Sequence, residues 1–203
     1  MNILLIDDHK LFAKSLSVAL DEYSEIEQFY IAQNVQDLEK ILCEKNIDII
    51  LIDINLGGLS DADGLEIASN LRHSHPAAKL VILTGYDLPV YRHEAKKIGA
   101  NGFLCKNISP DDLIASLTHI CHGGTCFPPE KRELIIEELT AMEKTILQQL
   151  GTGKKRKNIA EELYISERTL SNHLQHIFEK LGVSSAVEAV TKAIQLGYIP
   201  PLC

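Results

Sequence analysis

Five polar side chains of the kinds that bind metals and phosphoryl groups stand at the ends of short apolar runs in this sequence. They are Asp7 and Asp8, Asp53, Thr84 and Lys106. Crowded carboxylates repel one another unless a hard divalent cation joins them, and an all-oxygen site with few protein ligands suits Mg²⁺. A hydroxyl and an ammonium beside them would receive the oxygens of a phosphoryl group transferred to a carboxylate. If the five converge, the set predicts Mg²⁺ binding and phosphoryl transfer to an aspartate.

The elements that must position these side chains alternate through the first 122 residues. Strands are predicted near 2–6, 27–32, 47–52, 79–84 and 102–105, and helices near 9–21, 35–45, 64–73, 87–98 and 110–121. Five β-α units in sequence indicate a five-stranded parallel, doubly wound α/β fold with helices on both faces. Ligands bind at the carboxyl ends of such strands, so the five side chains are expected to share one crevice.

Asp53 is the best candidate for the nucleophile. It ends the run Ile47–Ile52, which is apolar enough for a central strand buried on both faces. Asp7 and Asp8 then remain to hold the metal. A simpler alternative is that these aspartates only cap the helices that follow them.

From residue 139 onward the sequence predicts only helices. They run from a capping box at Thr140 and Glu143 to about Leu150, over about 157–163, from the cap Ser166 to about Leu181, and from a second capping box at Ser185 and Glu188 to Gly197. Only Tyr164 and Ile165 separate the second and third helices, a spacing that suits a helix-turn-helix. The Gly-Gly and Pro-Pro pairs within residues 123–138 predict a linker before this all-α region.

The helix after Ser166 has an apolar stripe and a polar outer face. The stripe consists of Leu170, Leu174, Ile177 and Leu181. Arg168, Asn172 and Gln175 lie outside it, and their side chains can make bidentate contacts to bases in the major groove. The run Lys154–Lys157 adds four cations at the start of the preceding helix, where backbone N–H groups also favour phosphate. Solvated helices and loops show the same polarity, and His173, near the stripe, is more simply a structural histidine.

Charge is divided unevenly between the two regions. The whole chain of 203 residues carries a formal charge of −8, but residues 1–139 account for −10 and residues 140–203 for +2. Such asymmetry indicates a nucleic-acid partner for the second region. The five scattered cysteines form no metal or disulfide pattern, and no signal segment or apolar stretch of 18 residues occurs. We therefore expect a cytoplasmic protein that does not bind a membrane.

The pattern Asp7-Asp8, Asp53, Thr84 and Lys106 over residues 1–122 resembles the receiver domain of bacterial two-component response regulators, which is flavodoxin-like. The resemblance implies that Asp53 accepts a phosphoryl group. It also implies that Asp8 binds Mg²⁺ directly, while Asp7 acts mostly through water.

The same resemblance implies roles for four further positions. Asn55 contributes a carbonyl ligand to Mg²⁺, Thr84 and Lys106 are the switch and phosphate-binding residues, and Phe103 is the rotameric switch aromatic. One departure from the receiver pattern lies in the loop 54–64, which lacks the usual proline and is longer than usual. This loop flanks Asp53, so its unusual sequence and length are expected to affect the lifetime of the phosphoryl group and the affinity for the metal.

Residues 139–199 resemble the LuxR-type helix-turn-helix of NarL/FixJ response regulators. The matching residues are Leu139, Thr140, Glu143, Gly153, Ile159, Ala160, Leu163, Ser166, Thr169, His173, Ile177, Lys180, Leu181, Val183, Glu188 and Ala189. The resemblance implies that the helix carrying Thr169 and Lys180 enters the major groove, with Ser171, Asn172 and Gln175 at the base edges, and that the last helix often dimerises.

This helix is less basic than is usual for its family, because Ser171 and Gln175 occupy places that are often basic. Phosphate contacts are therefore expected to come from the run Lys154–Lys157. The predicted DNA-binding residues are Lys154, Lys155, Arg156, Lys157, Arg168, Thr169, Ser171, Asn172, Gln175 and Lys180.

Together these features predict a two-component transcription regulator and not a turnover enzyme. Its parts are a receiver over 1–122, a linker over 123–138 and a four-helix DNA-binding domain over 139–203. A partner histidine kinase would phosphorylate Asp53, and the phosphorylated chain would form a homodimer on half-sites of double-stranded DNA. Two alternatives stay open. One is a phosphorylation-independent DNA binder with a vestigial pocket, and the other is a phosphatase, which would lack a general acid where Asn55 stands.

Overall fold

The computed structural model describes residues 1–56, 63–129 and 137–200. The chain divides into two compact units, the first built around a sheet and the second built from helices. Among the helices of the described residues, none combines the length and the apolar composition that a membrane crossing requires.

The sheet of the first unit has five parallel strands. They are β1 (Asn2–Ile6), β2 (Gln28–Ala32), β3 (Ile49–Ile52), β4 (Lys79–Thr84) and β5 (Gly102–Cys105), in the spatial order β2-β1-β3-β4-β5. The direction of winding reverses between β1 and β3, so a crevice opens at the carboxyl ends of these two strands. The predicted doubly wound α/β fold is confirmed.

Five helices cover the two faces of this sheet. They are α1 (Lys10–Leu20), α2 (Val35–Glu44), α3 (Gly64–Ser74), α4 (Pro89–Ile98) and α5 (Pro110–Cys121). Alternate strand residues pack on opposite faces: Ile3 and Leu5 against α1 and α5, and Leu4 and Ile6 against α2, α3 and α4. All four residues of β3 are buried, as expected for a strand covered on both faces.

Helix starts in the first unit follow the predicted local chemistry. The Asn34 side chain accepts from the Asp37 amide at the start of α2, and the Ser109 side chain accepts from the Asp112 amide at the start of α5. Pro110 occupies the first position of α5, where a missing N–H costs nothing.

The second unit contains four helices around its own apolar core, and the predicted all-α region is confirmed. They are α6 (Ala141–Gly151), α7 (Arg156–Glu162), α8 (Glu167–Leu181) and α9 (Ala186–Leu196). The predicted stripe of α8 is buried throughout. The capping box at Thr140 and Glu143 is complete, with both reciprocal hydrogen bonds present.

The second capping box is only half formed. Ser185 caps α9 by accepting from the Glu188 amide at 3.3 Å. The Glu188 carboxylate, however, accepts from the amide and hydroxyl of Ser184, at 2.9 and 3.1 Å, instead of from the Ser185 amide. The prediction of a reciprocal pair was therefore wrong here, because a neighbouring serine offers two donors to the same carboxylate.

The segment predicted as a linker begins as an extension of the sheet. Cys126 donates its amide to the Asn101 carbonyl at 3.0 Å and accepts from the Phe103 amide at 2.8 Å. Phe127 packs against the core cluster that contains Leu80, Ile82 and Phe103. The chain thus leaves the sheet after Cys126 and not at Gly123, while residues 130–136 of the predicted linker lie outside the described residues.

Candidate functional site

Two buried carboxylates and one ammonium meet at the carboxyl ends of β1, β3 and β5. Asp7 and Asp53 are 3% and 2% exposed. The Lys106 Nζ atom lies 2.7 Å from Asp53 Oδ2 and 2.7 Å from Asp7 Oδ2. One cation therefore faces two carboxylates in a crevice that excludes most of the surrounding water.

Burial and ion pairing act in opposite directions on the acid–base properties of this pair. Burial raises the pKa of Asp53 above its ordinary value, and the hydrogen bond and charge of Lys106 only partly oppose that effect. Burial acts to lower the pKa of Lys106, but its contacts with Asp53 and Asp7 outweigh burial and leave that pKa raised. Lys106 is thus held as a cation at the Asp53 carboxylate.

The backbone around Asp53 fixes the direction of its carboxylate. The Asp53 amide donates to the Ile6 carbonyl at 2.9 Å, and the Ile54 amide donates to Asp53 Oδ1 at 2.8 Å. The other carboxylate oxygen, Asp53 Oδ2, is the one that pairs with the Lys106 ammonium. Gly64 packs directly on this segment, because a Cβ at that position would lie 1.8 Å from the Asp53 carbonyl oxygen.

The crevice also contains a histidine that the sequence analysis did not single out. His9 Nδ1 lies 2.8 Å from Asp8 Oδ1 and 3.1 Å from Asp7 Oδ1. Ligand atoms of Asp7, Asp8, His9 and Asp53 all lie within 4.8 Å of one another. The position of His9 directly after Asp7-Asp8 was a signal in the sequence for this contact, but histidines beside carboxylates are common at protein surfaces.

The carboxylate set fits a divalent cation. Asp7 Oδ2 and Asp8 Oδ1 are buried oxygens whose close neighbours are the Lys106 ammonium at 2.7 Å and the His9 ring at 2.8 Å. Carboxylate oxygens of Asp7, Asp8 and Asp53 converge within 4.8 Å of one another, and oxygens of this kind are the ligands that a hard cation prefers. Asn55, predicted to add a carbonyl, is exposed beside this crevice. Residues 57–62 of the loop that departs from the receiver pattern lie outside the described residues.

The predicted switch residues are both fully buried. Thr84 ends β4, and its hydroxyl accepts from the Tyr86 amide at 3.2 Å. Phe103, in β5, lies in the core with 0% exposure. Phe12 was not anticipated: its ring lies 4.7 Å from the Lys106 ammonium, a cation–π contact that helps to hold the lysine stem in place.

In the second unit the cationic run lies at the start of α7. Lys155 is the N-cap of this helix, and Arg156 and Lys157 open its first turn. Lys154 pairs with Glu162 Oε2 at 2.5 Å. Three of the four cations thus remain exposed without a recorded side-chain partner in the described part of the chain.

The outer face of α8 is exposed, but its side chains differ in what they already contact. The Ser171 hydroxyl donates to the Glu167 carbonyl at 2.9 Å, and the Gln175 amide donates to Glu179 Oε1 at 2.9 Å. Thr169 contacts the cap Ser166 at the start of the helix. Arg168 and Asn172 are exposed, with no side-chain hydrogen bond recorded to any described residue. Among the predicted base-contacting residues, these two therefore have side chains that are available for a new contact.

Lys180 differs from the other predicted DNA contacts. Its ammonium donates to Glu143 Oε2 at 2.8 Å and to the Glu138 carbonyl at 3.0 Å. Glu143 is 3% exposed, and its pKa lies below the ordinary value because the Lys180 hydrogen bond and the Thr140 amide outweigh the effect of burial. Lys180 therefore takes part in an internal ion pair that only the tertiary structure reveals, and its predicted contact with DNA stays a prediction.

Two family comparisons cover most of the chain. Residues 3–118 match the response regulator receiver domain. Residues 137–193 match the bacterial regulatory proteins of the luxR family. Each match coincides with one of the two site-bearing units.

Two relatives align with nearly the whole chain. The nitrate/nitrite response regulator protein homolog of Haemophilus influenzae is 31% identical, over 93% of this chain and 94% of its own. The transcriptional regulatory protein DesR of Bacillus subtilis is 29% identical, over 98% of each chain. These similarities span both units and their junction.

Two solved structures also align with nearly the whole chain. The response regulator ChrA of a heme-sensing two-component system is 29% identical, with 98% of each chain covered and a TM-score of 0.52. A structure of two RcsB dimers bound to two parallel DNAs is 19% identical, covers 97% of this chain and 98% of that one, and has a TM-score of 0.67. At that identity the second likeness concerns the fold.

Proposed function

Since the chain belongs to the family of response regulators that combine a receiver domain with a luxR-type DNA-binding domain, we propose that a partner histidine kinase phosphorylates Asp53 to control transcription. The observation that carries this proposal is the Lys106 ammonium, 2.7 Å from Asp53 Oδ2 in the buried crevice. An Asp53 oxygen would attack phosphorus, and the P–N bond of the donor phosphohistidine would break as the new P–O bond forms. Lys106 would then pair with a phosphoryl oxygen.

The carboxylates would hold Mg²⁺ as the cofactor of this step. Asp8 and Asp53 are the proposed direct ligands, with Asp7 mostly through water and Asn55 through its carbonyl. When bound, Mg²⁺ neutralises phosphoryl charge as the transfer proceeds. The convergence of Asp7, Asp8 and Asp53, whose ligand atoms lie within 4.8 Å of one another, supports this assignment.

Thr84 and Phe103 are the proposed bistable element. A phosphoryl group on Asp53 adds charge and strong acceptor oxygens at the crevice. The Thr84 hydroxyl now accepts a hydrogen bond from the Tyr86 amide. We expect this bond to break and the hydroxyl to donate a hydrogen bond to a phosphoryl oxygen instead. The Phe103 ring would then rotate within the core, and the altered surface would favour a homodimer.

The second unit would bind double-stranded DNA, with the two copies of a dimer on paired half-sites. Lys155, Arg156 and Lys157 would contact phosphates, while Arg168 and Asn172 would reach base edges. The exposure of these side chains, together with the net charge of +2 on residues 140–203, supports this division of roles. Two relatives that align with 98% of this chain are named transcriptional regulatory proteins, which is consistent with a role in DNA binding.

Two matched substitutions test this division of roles on DNA. Lys155→Ala is expected to weaken binding by a similar factor on all sequences and to reduce the slope of log affinity against log salt by about 1, because one phosphate contact is lost. Asn172→Ala is expected to leave the salt slope unchanged and to relax the preference for one base pair. Binding titrations at several salt concentrations, on a selected duplex and on an unrelated one, distinguish the two. If Lys155→Ala altered base preference and Asn172→Ala did not, the roles would be reversed.

A further inference from the structure

The turn between α7 and α8 has a backbone conformation that favours glycine, but the residue in that conformation is a tyrosine. The Tyr164 amide donates to the Glu161 carbonyl at 3.2 Å, and the Ile165 amide donates to the Ala160 carbonyl at 2.9 Å. This pair of bonds, following the C-cap Leu163, is a Schellman motif. The residue after the C-cap is left-handed in such a motif, and Tyr164 has a φ of +54°.

Packing of the Tyr164 side chain does not offset the strain of its left-handed backbone. It is 96% exposed, and it is the most exposed large apolar side chain in the described part of the chain. No hydrogen bond to its hydroxyl is recorded from any described residue. Left-handed backbone disfavours residues with a Cβ, so glycine or asparagine would fit this turn with less strain. The folded unit by itself therefore gives no reason for a tyrosine here.

The place of Tyr164 in the motif indicates what it contacts. In a helix-turn-helix the first helix crosses the DNA backbone, and the N-terminal residues of the second reach the base edges. Tyr164 joins these two helices and stands two residues before Ser166, the N-cap of α8. A side chain projecting from this junction is placed beside the phosphates that border the groove.

We infer that the Tyr164 hydroxyl donates a hydrogen bond to a DNA phosphate at the edge of the major groove. Tyrosine is among the side chains that make such contacts, and its phenol is neutral. The contact positions α8 at its N-terminal end, opposite to the end held by Lys180 and Glu143. This inference deepens the proposed DNA-binding function and rests on it.

Three variants of the full chain test the contact, with a duplex selected by the wild-type protein from a random pool and an unrelated duplex as probes. Tyr164→Asn and Tyr164→Phe are expected to weaken binding by about tenfold on both duplexes, because each removes one hydrogen bond to a charged acceptor. The salt slope is expected to stay at the wild-type value, because a neutral donor releases no counterion. Tyr23→Phe is the matched control, since it removes a hydroxyl that bonds to Asp111 in the first unit, and it is expected to bind as the wild type does.

Stability separates a lost contact from a damaged fold. Tyr164→Asn is expected to unfold at the same denaturant concentration as the wild type or at a higher one, since asparagine tolerates the left-handed conformation. Wild-type affinity in Tyr164→Asn or Tyr164→Phe would overturn the inference, while weaker binding by Lys155→Ala would still support the proposed function. Absence of DNA binding by the wild-type protein would instead contradict the proposed function itself.

Discussion

Asp53→Asn is expected to abolish phosphoryl uptake from acetyl phosphate in the presence of Mg²⁺. The substitution keeps the size of the side chain but removes the anionic oxygen that forms the new P–O bond, so we expect uptake at least about 100-fold slower than in the wild type. Intact-mass spectrometry measures the adduct directly. The wild-type chain is expected to gain a single phosphoryl group.

Asp21→Asn is the matched control for this substitution. Asp21 is exposed at the C-terminal end of α1, away from the crevice, so its amide variant is expected to take up phosphoryl as the wild type does. Chelation of divalent cations with EDTA is expected to stop uptake in both proteins. An adduct of equal yield on Asp53→Asn would remove Asp53 as the acceptor.

Lys180→Met is expected to destabilise the second unit by about 3 kcal/mol, because it leaves the Glu143 carboxylate buried without its cation. Glu143 accepts from Lys180 Nζ at 2.8 Å and from the Thr140 amide at 2.7 Å, so one carboxylate joins the end of α8 to the start of α6. Amide hydrogen exchange of α6 and α8 in the full chain reports on this unit separately. Lys157→Met is the control, since this exposed lysine has no recorded partner among the described residues. Equal losses in both variants would show that the ion pair contributes nothing.

The same ion pair predicts a pH dependence of stability. The pKa of Glu143 in the folded unit lies below its ordinary value of 4.5. A carboxylate whose pKa falls on folding stabilises the fold at pH values above 4.5, and this contribution is lost as the pH falls below 4.5 and through the lowered pKa. The stability difference between wild type and Glu143→Gln is therefore expected to narrow in acid. A difference that stays constant down to the acid transition would contradict the assignment.

Local sequence signals predicted the elements and their starts. Asn34, Ser109, Thr140 and Ser166 cap the helices that their positions indicate, because a cap is a bond between residues only three apart. The convergence of Asp7, Asp53 and Lys106 also followed from the sequence, since parallel strands bring their carboxyl ends to one edge. The alternation of apolar runs with helical stretches was sufficient to predict the sheet, and the polar residues after those runs predicted the crevice.

Features that depend on tertiary contacts or on unusual backbone were not predictable in this way. Lys180 lies on the polar side of a helix that resembles DNA-reading helices, and only the folded unit shows Glu143 beneath it. Tyr164 was treated as a spacer because residue type does not disclose a left-handed conformation where glycine is absent. The approach of His9 Nδ1 to Asp53 Oδ2, at 3.7 Å, likewise appears only in the folded unit.

The central claim is that a phosphoryl group on Asp53 controls DNA binding, and one comparison tests it most directly. The affinity of the full chain for its selected duplex is measured with and without beryllofluoride, a phosphoryl mimic, for wild type and for Asp53→Asn. We expect beryllofluoride to tighten wild-type binding by about tenfold, within the usual range of allosteric coupling, and to leave Asp53→Asn unchanged. Equal wild-type affinity with and without beryllofluoride, at a concentration that saturates the crevice, would contradict the account and favour a DNA binder that does not depend on phosphorylation.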